Sequence, residues 1–156
     1  MFELEIPGFG KVELEYLVSD FTGTLSVDGK LIPGVEERLN KISEFLKIYV
    51  LTADTFGRAE KELSGVNCEV IILQGADQDK QKEDFVKKLG AEKVIAFGNG
   101  NNDRRMLKAA KIGVCVLLDE GCSVSALTSA DILVKSINDG LDLLLHPLRL
   151  KATLRF

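Results

Sequence analysis

The chain has little of what many functions require. It has no tryptophan, two tyrosines, three prolines and a single histidine among 156 residues. One histidine, His146, leaves no material for a His/Cys zinc site. It lies in Leu145-His146-Pro147, at an expected helix end, where a cap or surface role is read rather than catalysis. There is no excess of positive charge: the net charge is −4. Binding to phosphate backbones needs clustered positive charge, so neither nucleic acid nor a membrane surface is an expected partner. Arg149, Lys151 and Arg155 form too short a basic stretch to change this, and instead suit a helix C-terminus. Long hydrophobic runs are missing too. The longest, Val114 to Leu118, is far too short to span a bilayer. The opening residues carry Glu3 and Glu5 and no apolar signal core, so export is not expected and a cytoplasmic location is. The cysteines, Cys68, Cys115 and Cys122, are odd in number and form no C-x-x-C pair, so they read as reduced thiols, Cys68 and Cys115 in the core.

What is present reads as one domain, residues 1–156, large enough to bury roughly two-thirds of its unfolded surface. Phe2 to Ile6 and Val12 to Tyr16 alternate apolar and polar residues around Pro7-Gly8-Phe9-Gly10, which predicts an antiparallel hairpin. Tyr16-Leu17-Val18 begins a core strand. Continuous β-branched or apolar runs follow at 48–51, 70–73, 94–97, 114–116 and 132–134, as in strands covered on both faces. Between them apolar residues recur at helical spacing: Val35, Leu39, Ile42 and Leu46; Phe56, Ala59 and Leu63; Phe85, Val86 and Leu89, closed by Gly90; Met106, Leu107 and Ala110; Val124 and Leu127; Ile137, Leu141, Leu144 and Leu145. Alternating strands and helices predict a three-layer α/β sandwich with a mostly parallel, Rossmann-like sheet. Asp28-Gly29 is a turn signal inside a short hairpin-like segment, Leu25 to Ile32.

Ligands of open parallel sheets bind beyond the carboxyl ends of the strands. Four successive crossovers place chemistry there. Asp20-Phe21-Thr22-Gly23-Thr24 follows the first core strand, Thr52-Ala53-Asp54-Thr55 the second, Lys82 opens the helix after the third, and Gly98-Asn99-Gly100-Asn101-Asn102-Asp103 follows the fourth. Phosphoryl transfer needs such a set. A carboxylate can attack phosphorus or hold Mg²⁺, a glycine lets the backbone turn close to a phosphate, and a hydroxyl and an ammonium neutralise its oxygens. Thr24 can fix the rotamer of the acid. Taken alone, Asp54 reads as a helix N-terminal residue, Asn101 and Asn102 as a polar loop, and Lys80 competes with Lys82.

The pattern resembles the haloacid dehalogenase (HAD) superfamily of phosphohydrolases. Within it, the pattern is most similar to the phosphorylation domain of P-type ATPases, with motifs D-K-T-G-T, T-G-D and G-D-G-x-N-D. Lys82, Val86 and Leu89 match that family's Lys-x3-Val-x2-Leu helix. The resemblance implies Asp20 as nucleophile, with Thr22, Thr52 and Lys82 in catalytic positions. It implies phosphate binding by Phe21, Gly23, Thr52, Ala53, Lys82 and Asn102, and Mg²⁺ binding by Asp20, the Thr22 carbonyl, Asn99 and Asp103. Two departures stand out. Thr22 occupies the position of the usual acid/base aspartate, whose loss costs typically ~10²–10⁴-fold. Asn99 replaces a metal-binding aspartate, which predicts weaker metal affinity. The short spans between Asp20, Thr52 and Lys82 leave no room for a nucleotide-binding domain or a cap. The expectation is a slow, capless phosphohydrolase working through an aspartyl-phosphate. Its substrate is a phosphorylated small molecule or a phosphoprotein, and a homo-oligomer is expected to cover the open site. The alternatives are a non-catalytic phosphate-binding or protein-interaction module and a receiver-type phosphoacceptor domain. The latter fits poorly, because Ser19-Asp20 is not an acidic pair.

Overall fold

A computed structural model describes residues 1–53 and 57–156. Strands β1 (Phe2–Ile6) and β2 (Gly10–Leu14) form the expected antiparallel hairpin. The central sheet holds β3 (Tyr16–Asp20), β6 (Lys47–Thr52), β7 (Glu69–Ile72), β8 (Val94–Gly98), β9 (Ile112–Val116) and β10 (Ile132–Val134). It is parallel throughout, in the order β10-β9-β8-β3-β6-β7. A second small hairpin, β4 (Ser26–Val27) and β5 (Lys30–Leu31), turns at Asp28-Gly29 with both residues at positive φ. This is the type of turn that closes two-residue hairpins.

Strand order explains the layers. From β3 the chain steps to β6 and then β7 in one direction, with α1 (Val35–Ile42) and α2 (Arg58–Glu62) as crossovers. It then jumps back past β3 and runs the other way, through α3 (Gln78–Leu89), α4 (Arg104–Ala109) and α5 (Val124–Ser129). Parallel crossovers are right-handed, so reversing direction puts the second set of helices on the opposite face. Helix α6 (Ile137–Leu145) returns to pack beside α1, and α7 (Pro147–Leu154) packs on α6 and β1. Each strand feeds both layers. In β3, Leu17 joins the core under α1, α6 and the hairpin, and Val18 the core under α3 and α4. The sheet is covered on both faces, which is why its strands read as continuous apolar runs.

The segment marked by Val124 and Leu127 is helical as expected, although these two residues are 74% and 40% exposed and Ala126 is its buried residue. A six-residue helix holds too few positions to define a face by period. Helix α7 was not anticipated. Pro147 stands in its first turn, where the missing N–H costs nothing, so the proline begins a helix rather than only ending one. Finally, Cys115 and Cys122 are joined by a disulfide, not reduced. The loop after β9 folds back and brings the two sulfurs together, which leaves only Cys68 as a free thiol. His146 is exposed between α6 and α7, in the cap role expected of it. No helix of the described residues is long and apolar enough to cross a membrane.

Closing so short a loop should stabilise the fold by about 2 kcal/mol. Dithiothreitol should therefore lower the thermal midpoint of the wild type and leave that of Cys122→Ser unmoved; equal midpoints with and without reductant would show that the bond does not form in solution.

Candidate active site

Asp20 is the last residue of β3, at the point where strand order reverses. The chain then turns tightly. The backbone N–H groups of Thr24, Leu25 and Ser26 and the Ser26 hydroxyl all donate to the Phe21 carbonyl. Gly23 sits at φ +77°, and a Cβ there would lie 2.5 Å from the side-chain nitrogen of Asn99. Only glycine permits both the turn and that approach. The Thr24 hydroxyl is 3.1 Å from Asp20 Oδ2 and 3.3 Å from Asn99 Oδ1. It has one proton, and the nearer acceptor, Asp20 Oδ2, takes it. Asn99 is steadied separately, by donating from Nδ2 to the Gly121 carbonyl at 3.1 Å.

Lys82 reaches Asp20 from α3. It is 1% exposed, and its Nζ donates to Asp20 Oδ1 at 2.9 Å and to Asp103 Oδ1 at 2.7 Å. Asp103 closes the short 3-10 turn Asn101–Asp103 and is fully buried. Its other oxygen, Oδ2, accepts the backbone N–H groups of Asn99 (2.9 Å) and Gly100 (3.0 Å). One ammonium thus ties the first and fourth crossovers together. Lys80, the competing candidate, is exposed.

The electrostatics follow from burial. Desolvation pushes the Asp20 carboxyl up, the nearby Asp103 charge adds to this, and Lys82 and Thr24 offset it only in part. It stands at about 7, against an ordinary 3.8. Burial on its own would lower the Lys82 ammonium. The two carboxylates and their hydrogen bonds outweigh it, so Lys82 is held above its ordinary value and stays charged.

The cluster opens into a cleft of about 780 Å³. Asp20, Phe21, Thr22, Thr52, Ala53, Lys82, Asn99 and Asn102 all line it, so eight of the ten residues singled out from the sequence meet there. Phe21 takes part by its backbone, because its side chain is in the core. Gly23 and Asp103 do not line the cleft. Gly23 is buried, with the Asn99 side chain against it. Asp103 accepts from Lys82 through Oδ1 and from two backbone N–H groups through Oδ2, and so anchors Lys82. Asp54, with Thr55 and Phe56, lies outside the described residues. Sequence reasoning missed Gly29, Arg58 and Gln78 as wall residues and gave Asp28 only a turn role. No periodic or motif signal marks them; the small hairpin brings Asp28 and Gly29 to the cleft, and the first residues of α2 and α3 bring Arg58 and Gln78.

The arrangement is that of a Rossmann-like α/β domain with an aspartate–lysine–aspartate cluster at its strand switch point. Residues 78–140 match the family model of haloacid dehalogenase-like hydrolases. The chain is 35% identical over 126 residues to a probable copper-exporting P-type ATPase of Archaeoglobus fulgidus, covering 80% of this chain but only 14% of that protein. It is 53% identical over 73 residues to the uncharacterised protein MJ0073 of Methanocaldococcus jannaschii, covering 47% of this chain and 78% of that one. The fold matches the 3-deoxy-D-manno-octulosonate 8-phosphate phosphatase of Moraxella catarrhalis, solved with magnesium, phosphate and KDO, at a TM-score of 0.66 and 18% identity over 85% of this chain and 86% of that one. These matches show a capless HAD-fold domain similar to that of P-type ATPases.

Asp20 has a stability signature. Between pH 4 and 7 the folded state holds a proton that the unfolded chain has released, so stability falls as pH rises through that window. In metal-free buffer, Asp20→Asn should raise the thermal midpoint by several degrees at pH 8 and by little at pH 4.5. An equal difference at both pH values would show that Asp20 titrates at its ordinary value.

Proposed function

We propose that the protein is a divalent-metal-dependent phosphohydrolase that works through an aspartyl-phosphate on Asp20. The observation that carries this reading is the buried Asp20–Lys82–Asp103 cluster, with Asp20 as the carboxylate that opens on the cleft. In the first step a carboxylate oxygen of Asp20 attacks phosphorus in line, the bond to the leaving oxygen breaks, and the leaving oxygen takes a proton from water in the open cleft and departs as the alcohol. Lys82 has three donors and spends two on carboxylates, so one remains for a phosphoryl oxygen. The Thr52 hydroxyl, at the end of β6, and the backbone at Phe21 and Ala53 supply further donors, with Asn102 beside them. Water then attacks the aspartyl-phosphate and releases phosphate. At the position where the family places its acid/base, Thr22 offers a hydroxyl with no basic carboxylate, so this second step is slow.

The donors around Asp20 suit a hard cation. The Asp20 carboxylate, the Thr22 carbonyl and the Asn99 amide oxygen form an all-oxygen set of the kind Mg²⁺ takes. When bound, such an ion neutralises charge on the phosphoryl oxygens and lowers the Asp20 carboxyl into its ionised form. Asp103, which anchors Lys82, is the fourth candidate donor. With Asn99 in place of an aspartate the set carries one negative charge fewer, which predicts weak metal affinity. The whole chain is read as one domain acting on a phosphorylated small molecule or phosphoprotein, with a second copy of the chain as the candidate cover for the open cleft. The cytoplasm, where such substrates are made, is the compartment this reading implies.

Phosphate release from a panel of phosphomonoesters tests the proposal. Release should need Mg²⁺ and vanish in Asp20→Asn. No release from any ester by a wild type that still binds phosphate would instead make the protein a phosphate-binding module. Thr22→Asp should speed turnover about tenfold or more by restoring a base. An unchanged or lower rate would remove Thr22 from the acid/base position.

A further inference from the structure

The cleft is larger than a phosphoryl group requires. At about 780 Å³ it falls in the range of sites that enclose whole drug-sized ligands. A phosphoryl group on Asp20 occupies the floor. The rest of the substrate meets the wall formed by Asp28, Gly29, Arg58 and Gln78.

The cations of this cleft have different freedom. Lys82 is committed to two carboxylates at the floor. Arg58, the first residue of α2, stands at the wall. Its Nη1 donates to the Asp28 carbonyl at 3.4 Å. It also lies so close to Gly29 that a Cβ there would come within 2.5 Å of Nη1. The small hairpin that holds it is itself tied on both sides. The Leu31 N–H donates to Glu62 Oε1 at 2.7 Å, and the Asp28 N–H to Glu120 Oε2 at 3.1 Å. The guanidinium is therefore presented from a braced position, with one of its five donors used by the Asp28 carbonyl. Its planar fork matches a carboxylate or phosphate in two-point contact. Asp28, which also lines the wall, keeps it from being purely cationic, so the wall suits one extra anionic group rather than a polyphosphate.

We infer that Arg58 is a specificity residue that selects phosphomonoesters whose remainder carries a second anionic group, a carboxylate or a phosphate. This inference rests on the phosphohydrolase reading above and names the substrate class of the same site.

The test compares kcat/KM for 2-phosphoglycolate, fructose 1,6-bisphosphate and p-nitrophenyl phosphate in the wild type, Arg58→Lys and Arg58→Met. Arg58 is exposed, so both variants should keep the fold, and thermal midpoints check this. In Arg58→Met the preference for a doubly anionic substrate over p-nitrophenyl phosphate should fall at least tenfold, chiefly through KM. Arg58→Lys should fall between. The substrate that loses more tells carboxylate from phosphate. A purely structural tie to the hairpin would slow all three substrates alike, and that result, or no change in preference, overturns the inference. If the wild type turns over none of the three, the phosphohydrolase reading fails, and calorimetric binding decides the matter for Arg58. In that case 2-phosphoglycolate should bind at least tenfold more tightly than methyl phosphate, and Arg58→Met should abolish the difference. Equal affinities in the wild type would overturn it.

Discussion

The Lys82 ammonium is the interaction on which the site depends. Asp20 and Asp103 both reach it within hydrogen-bond distance in a space almost closed to water. Two buried carboxylates repel each other and each loses its hydration. A single ammonium between them makes the arrangement tolerable, and removing it would leave two buried carboxylates facing each other. The same contact fixes the loop after β8, because Asp103 spends its second oxygen on the backbone of Asn99 and Gly100. Through Asn99 the order passes to Gly23, and so back to the turn that follows Asp20.

The cluster forms where it does because of handedness. The chain leaves β3 toward β7, then returns and leaves toward β10, and right-handed crossovers send the two sets of helices to opposite faces. The carboxyl ends of β3 and β8, strands that pair side by side, then carry loops that diverge around a crevice. Asp20 stands on one side of that crevice and the Asn99–Asp103 loop on the other. Lys82 enters from α3, the first helix of the returning half. No cap crosses the crevice; the small β4–β5 hairpin and Arg58 are what border it.

Much of this was legible in the sequence, because strands buried on both faces and loops with fixed chemistry leave local marks. The six core strands and the positions of Asp20, Thr52 and Asn99 at one sheet edge came from pattern. Lys82 was separated from Lys80 only by the resemblance, through its register with Val86 and Leu89. Other features depend on direction rather than position, and a sequence does not record direction. Asp103 follows a strand, and its carboxylate turns to Lys82. Gly23 lies in the turn after Asp20, against the Asn99 side chain. The Cys115–Cys122 bond, the α7 helix and the approach of Arg58 to Asp28 all arise from chain reversals in three dimensions, which spacing along the chain does not reveal.

The cluster also draws on both halves of the fold. Asp20 comes from the outgoing half, and Lys82 and Asp103 from the returning one. Residues 78–140, the stretch that matches the family model, contain the ammonium and its inner anchor but not Asp20. The cluster therefore exists only once the two halves have docked through β3 and β8. The phosphohydrolase chemistry proposed above would report that assembly all or none, and a chain broken between β7 and α3 would regain it only on complementation.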